Sequence, residues 1–105
     1  MNGVIPLSIE TVTETETKID LDYPSQWGVK FFNDDRTPMD FVSLALMHHF
    51  NLSPEDAEIV MWKVHEEGEA VVGSYTKDIA ETKATTVESI AREAGFPLRL
   101  QPVAI

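Results

Sequence analysis

Two groups of residues have side chains whose chemistry suggests a binding site. The run Asn33-Asp34-Asp35 supplies one amide oxygen and two carboxylates, all of which accept hydrogen bonds. The second group begins at Met61, and Val64 and His65 follow it by three and four residues. On a helix these three side chains therefore share one face. If the two groups face each other, they form an apolar pocket with a rim of acceptors. Such a pocket suits an ammonium group attached to a hydrophobic side chain.

Each group also has a purely structural interpretation. A run such as Asn33-Asp34-Asp35 is common in polar turns, where its side chains cap nearby backbone groups. A single histidine beside an apolar stripe is commonly a boundary residue that binds nothing. Residue types and spacing alone leave both interpretations open for both groups.

Signals for catalysis and for metal binding are weak. His48 and His49 are adjacent, so their side chains would point in different directions on a helix. No cysteine and no His-Glu-x-x-His motif accompanies them or His65. The chain also lacks a Gly-x-Ser-x-Gly elbow and a glycine-rich phosphate loop. We therefore expect no metal, no cofactor and no catalytic residue.

The charge balance excludes some classes of partner. Eight lysines and arginines stand against 18 aspartates and glutamates, for a net charge of −10, whereas a nucleic-acid binder needs a basic surface. No apolar run approaches the roughly 20 residues of a membrane helix, and no signal-like segment opens the chain. The absence of cysteine is typical of a reducing compartment. These features predict a cytoplasmic protein that binds neither nucleic acid nor membrane.

Start and stop signals predict the elements that must position these residues. In Thr37-Pro38 and Ser53-Pro54 we expect the threonine or serine to cap a helix and the proline to occupy its first turn. Thr76 is expected to cap a third helix that ends at Gly95. Short strands are expected at residues 29–32, 70–75 and 98–103. The order β-α-α-β-α-β predicts an α+β sandwich, with a small three-stranded antiparallel sheet and three helices on one face.

The first 27 residues differ from the rest in composition. Five acidic residues and Lys18 give this segment a charge of −4, and threonine alternates with glutamate from Glu10 to Thr17. It carries too little apolar surface to offset the entropy of ordering it. We expect residues 1–27 to be a flexible acidic extension and residues 28–105 to be the core domain.

Four sequence elements together resemble the ClpS family, the N-degron adaptors of the Clp protease. The longest is Asn-Asp-Asp-Arg-Thr-Pro-Met-Asp-Phe-Val at residues 33–42. Val-His-Glu-Glu-Gly at 64–68, Ala-Glu-Thr-Lys at 80–83 and Pro-Leu at 97–98 follow in order. Arg36, where the family commonly has an aromatic residue, and Trp62-Lys63 depart from the pattern and flank the expected pocket.

The resemblance implies an adaptor and not an enzyme. It would bind the free N-terminal Leu, Phe, Tyr or Trp of a substrate and deliver that substrate to a Clp-type AAA+ unfoldase, ClpA- or ClpC-like. The residues that would hold the α-ammonium are Asn33, Asp34 and His65. Those that would shape the pocket mouth are Asp35 and Thr37. Those that would line the side-chain pocket are Met39, Val42, Met61, Val64 and Leu98. Those that would face the unfoldase are Glu81, Thr82 and Lys83.

Two other functions are compatible with the sequence. A ribosome-associated or regulatory module could use a similar sandwich for protein–protein contact alone, and would bind its partner regardless of substrate N-termini. A small metal-dependent enzyme using the histidines is the third alternative, which a metal assay would test. For the adaptor we expect a monomer.

Overall fold

The computed structural model describes residues 26–105. Along them the strands and helices follow one another in the predicted order, β-α-α-β-α-β. The elements are β1 (Trp27–Phe32), α1 (Met39–Phe50), α2 (Pro54–Glu67), β2 (Glu69–Tyr75), α3 (Lys77–Glu93) and β3 (Arg99–Ala104). The predicted strand bounds differ from these by one or two residues. Strand β1 begins at Trp27, which the sequence placed in the extension, and residues 1–25 lie outside the described residues.

The three strands form one antiparallel sheet with β1 in the centre. The spatial order is β2-β1-β3, and Phe31 pairs with Ala70 on one side and Leu100 on the other. Because both neighbours run antiparallel to β1, the end of β1 lies beside the starts of β2 and β3. This arrangement brings the residues that flank these strand ends, Asn33, Gly68 and Leu98, to one end of the sheet.

The helices cover one face of this sheet, as predicted. Side chains alternate between the faces of a strand, and those of Val29 and Phe31 on β1 are completely buried. Lys30 and Phe32, on the opposite face of β1, remain partly exposed. The helices add buried apolar side chains to the same core, including Leu46, Ala57, Val64, Ala80 and Val87. No helix within residues 26–105 has the length and apolarity to cross a membrane.

Local capping signals define the ends of α2 and α3. Ser53 and Thr76 each accept a side-chain hydrogen bond from the backbone N–H three residues on, at 3.1 and 3.4 Å, as expected for N-caps. Gly68 ends α2 with a φ of 92°, a left-handed conformation that glycine adopts without strain.

The predicted cap of α1 is wrong. This helix begins at Met39, and the extended residue before it is Pro38, with φ −63° and ψ 144°. The Thr37 hydroxyl donates to Asp34 Oδ2 instead of accepting from the helix. A hydrogen bond from a hydroxyl to a carboxylate is charge-assisted and therefore strong, so Thr37 joins the preceding loop.

Candidate functional site

The loop between β1 and α1 is shaped by the Asp34 carboxylate. Its Oδ1 accepts hydrogen bonds from the backbone N–H groups of Arg36 and Thr37, both at 2.8 Å. Its Oδ2 accepts from the Thr37 hydroxyl, also at 2.8 Å. Because a carboxylate offers about four acceptor positions, about one remains, on Oδ2. Asp34 therefore sets the shape of the loop, supplies a negative charge and can receive one further donor.

The same bonds keep Asp34 ionised. Burial by itself raises the pKa of a carboxyl group, since it penalises the charged form. At Asp34 the bonds from Arg36 and Thr37 and the positive charge of Arg36 outweigh burial, and they hold the pKa of the carboxyl below its usual value. A carboxyl whose pKa is lower in the folded state stabilises the fold above its unfolded-state pKa. That contribution disappears as the pH falls through the lower, folded-state pKa.

Replacing Asp34 by Asn should therefore destabilise the protein at neutral pH and matter less in acid. The amide lacks the charge that strengthens three hydrogen bonds, and we expect a cost of about 1 kcal/mol at neutral pH. The difference from the unsubstituted protein should shrink once the pH is below about 4, near the usual pKa of aspartate. Urea unfolding curves across this range measure it, with the exposed neighbour Asp35→Asn as the control. A cost that does not change with pH would contradict this role of the Asp34 charge.

A backbone hydrogen bond joins this loop to the end of α2. The Asn33 N–H donates to the Gly68 carbonyl at 2.9 Å. Gly68 directly follows the last turn of α2, and His65 belongs to that turn. The bond therefore places the amide of Asn33 and the imidazole of His65 at the same end of the sheet.

Between the loop and α2 lies a small cavity of about 10 Å³, which is roughly the space that one water probe occupies. Its lining residues are Phe32, Asn33, Asp34, Thr37, Met39, Val42, Met61, Val64, His65 and Leu98. The floor is apolar and buried, Met39 is half-buried, and Asn33 and His65 are exposed at the rim. The two residue groups singled out in the sequence face each other across this cavity.

Phe32 lines the cavity and was not predicted. Asp35, predicted at the mouth of the pocket, is exposed and lies outside the lining. Phe32 lies on the sheet face opposite to the buried Phe31, where the Arg99 guanidinium lies 5.1 Å from its ring centroid. Because side chains alternate along a strand, the sequence pattern places Phe32 on the outer face of β1 and does not indicate it as a pocket residue. Its position directly before Asn33 was the signal available in the sequence.

The residues expected to face an unfoldase have unequal exposure. Glu81 and Thr82 are exposed on α3, whereas Lys83 is half-buried. The Lys83 ammonium donates to the carbonyl of His49 at 2.7 Å and lies 5.2 Å from the ring centroid of Tyr75. A cation at the carboxyl end of a helix satisfies a carbonyl that has no intrahelical partner. Lys83 therefore joins α3 to the end of α1.

A larger groove lies between α1 and α3. It has a volume of about 320 Å³ and its lining residues are Phe41, Leu44, Ala45, His48, His49, Val87 and Ile90. Its polar side chains are the imidazoles of His48 and His49, and none of the lining side chains carries a carboxylate or an amide oxygen, so the groove lacks a negative charge to pair with an ammonium group. His48 and His49 lie here and His65 lies at the small cavity, and within residues 26–105 no three His, Asp or Glu side chains come together as metal ligands.

Comparison with known proteins identifies the family. The family model described as "ATP-dependent Clp protease adaptor protein ClpS" matches residues 22–101. The ATP-dependent Clp protease adapter protein ClpS of Paraburkholderia xenovorans is 48% identical over 89 residues, 85% of each chain. Its namesake in Desulforapulum autotrophicum is 42% identical over 92 residues, 88% of each chain.

A solved structure agrees with this similarity. Agrobacterium tumefaciens ClpS2 bound to L-phenylalaninamide superimposes with a TM-score of 0.75 at 38% identity. The similarity covers 79% of this chain and 100% of that chain. The protein belongs to the ClpS family of Clp protease adaptors.

Proposed function

We propose that this protein is an adaptor that binds the free N-terminal residue of N-degron substrates and delivers them to a Clp-type AAA+ unfoldase for proteolysis. The first residues it accepts are Leu, Phe, Tyr and Trp. The observation that carries the proposal is the cavity between the β1–α1 loop and α2. Its floor is apolar and its rim carries an amide oxygen, a carboxylate and an imidazole.

The rim has the right number of acceptors for an α-ammonium group. That group has an ordinary pKa of about 7.7–8.0, so it is mostly charged at neutral pH. Burying it without partners costs several kcal/mol. The Asn33 side-chain oxygen, the open position on Asp34 Oδ2 and a ring nitrogen of neutral His65 would receive its three donors.

The floor supplies the second half of the specificity. Burying a Leu or Phe side chain contributes roughly 1.5–3 kcal/mol, and Val42, Met61, Val64 and Leu98 offer it an apolar surface. The cavity, at about 10 Å³, has less room than the Leu or Phe side chain of a ligand needs. Such a ligand must therefore displace part of the wall. Met39 is the half-buried and unbranched member of that wall, and methionine side chains adapt readily. We infer that Met39 moves aside when a first residue enters.

The ligand of the solved relative has both halves of this chemistry. L-Phenylalaninamide, bound by Agrobacterium tumefaciens ClpS2, carries a free α-amino group and a phenyl side chain. We infer that residues 28–105 form the core domain that binds the substrate, and that Asp35 and Thr37 shape the mouth. Glu81 and Thr82 would contact a ClpA- or ClpC-like unfoldase, with Lys83 holding their helix in place. We further propose a monomer that acts in the cytoplasm without catalytic activity or cofactor of its own.

A panel of fluorescent peptides that differ only in the first residue tests this function. We expect dissociation constants of about 1 µM or lower, near −8 kcal/mol, for peptides beginning with Leu, Phe, Tyr or Trp. Acetylating the Leu-initiated peptide removes its charge and two of its three donors, and affinity should fall by about 100-fold, or 2.7 kcal/mol. Fluorescence anisotropy titration measures both quantities.

The controls separate the two halves of the ligand. A peptide beginning with Glu keeps the ammonium but has no apolar side chain, so it should bind as weakly as the acetylated peptide. Equal affinity for the free and the acetylated Leu peptide would exclude ammonium recognition. It would instead favour a module that contacts proteins regardless of their N-termini.

A further inference from the structure

An exposed aromatic side chain contacts the imidazole at the rim of the cavity. Trp62 lies one helical turn before His65 on α2, and residues three apart on a helix are neighbours. The ring centroids of Trp62 and His65 are 5.8 Å apart and their planes meet at 78°. This edge-to-face arrangement is a favourable geometry for aromatic rings. Trp62 remains 42% exposed, so its indole covers little of the core.

The His65 ring has few other restraints. Its side chain is exposed, and the hydrogen bonds formed among residues 26–105 do not include its imidazole. The χ2 torsion of histidine has broad, roughly two-fold minima, so an unrestrained ring samples orientations in which neither nitrogen points into the cavity. An acceptor that must adopt one orientation loses affinity through that freedom.

We infer that Trp62 is a positioning residue for substrate binding: its indole holds the His65 imidazole with a ring nitrogen directed into the cavity. The inference rests on the proposed recognition of an N-terminal ammonium group. It assigns a role to a residue that does not itself line the cavity. The competing explanation is that Trp62 is a contact for another protein and has no effect on His65.

Affinities of single and double variants test the inference. Trp62→Ala should weaken binding of a Leu-initiated peptide by about fivefold, within the range that an edge-to-face aromatic pair contributes. Trp62→Phe keeps an aromatic ring, so it should bind the peptide with at least half of the affinity of the unsubstituted protein. In a His65→Ala background the same Trp62→Ala substitution should have no effect, because Trp62 acts through the missing ring. Ile59→Ala, which truncates another exposed apolar side chain of α2, should leave the affinity unchanged in both backgrounds.

A spectroscopic measurement tests the ring contact without peptide. In a Trp27→Phe variant, Trp62 is the remaining tryptophan of the chain. Because the two rings are in contact, removing the imidazole in His65→Ala should change the fluorescence emission of Trp62. An emission spectrum that is the same with and without the imidazole would contradict the contact.

The outcomes are distinguishable. Equal loss of affinity in the two backgrounds, or no rescue by Trp62→Phe, would overturn the positioning role. Unchanged peptide affinity with slower delivery to the unfoldase would assign Trp62 to a protein contact instead, and would also overturn it. A change in Trp62 emission on His65→Ala in a protein that binds no Leu-initiated peptide would leave the ring contact intact and exclude the proposed function.

Discussion

Replacing Met39 by Ala should extend ligand choice to first residues that branch at Cβ. The cavity measures about 10 Å³, and Met39 supplies a half-buried part of its wall at the start of α1. Truncation to Ala removes the side chain that a Val or Ile would meet beside its Cβ. We expect affinity for Val- and Ile-initiated peptides to rise by about tenfold, or 1.4 kcal/mol. Affinity for Leu- and Phe-initiated peptides should change by less than about threefold, a few tenths of a kcal/mol.

Met47 provides a matched control on the same helix. It is also half-buried and packs against the core, but it does not line the cavity. Met47→Ala should cost about as much stability as Met39→Ala, and less than the roughly 2–5 kcal/mol of a fully buried methionine, without altering the peptide preference. Thermal unfolding and the anisotropy titration together measure this. If Met39→Ala unfolds the protein whereas Met47→Ala does not, Met39 is a core residue, and its proposed role in excluding first residues that branch at Cβ is wrong.

Removing residues 1–24 should separate binding from delivery. The truncation keeps Gln26, whose carbonyl accepts a bond from the Ile105 N–H at 2.9 Å, and every described strand and helix. We therefore expect unchanged folding and unchanged peptide affinity. Residues 10–22 are rich in threonine and acidic residues, and we propose that the unfoldase engages this segment. Degradation of a Leu-initiated reporter should fall to the rate measured without adaptor.

The degradation assay needs a purified unfoldase–protease pair and a third adaptor variant. In this variant residues 1–24 are replaced by a glycine–serine segment of equal length, which keeps the reach of the chain but not its composition. If this variant restores delivery, length is what the unfoldase requires. If the truncated adaptor delivers as fast as the full-length chain, the extension is only a linker, and the proposed site on residues 28–105 is unaffected.

Much of the local structure was predictable because its causes lie within a few residues. Ser53 and Thr76 cap helices by bonds to the backbone three residues on, and Gly68 ends α2 in a conformation that glycine favours. Thr37 shows the limit of this reasoning. The Thr37 hydroxyl donates to the Asp34 carboxylate three residues earlier, instead of accepting from a backbone N–H at the helix start.

The candidate site was predictable as a set of residue types but not as a geometry. The acceptors of 33–35 and the apolar stripe of 61–65 indicated an ammonium attached to a hydrophobic group. Only the packed structure shows that Asp34 has three of its acceptor positions occupied by its own loop. The contribution of Phe32 also depends on how the loop folds over the end of β1.

The sequence by itself determined the order of the elements, the family resemblance and the chemistry of the ligand, because caps, periodicity and motifs act over one or two helical turns. The tertiary structure decided which distant groups meet. The antiparallel sheet brings Asn33, Gly68 and Leu98 to one end of the sheet. Lys83 donates a hydrogen bond to the carbonyl of His49, 34 residues earlier in the chain. Such contacts follow from burying one face of the whole sheet under three helices, a condition that no short segment contains.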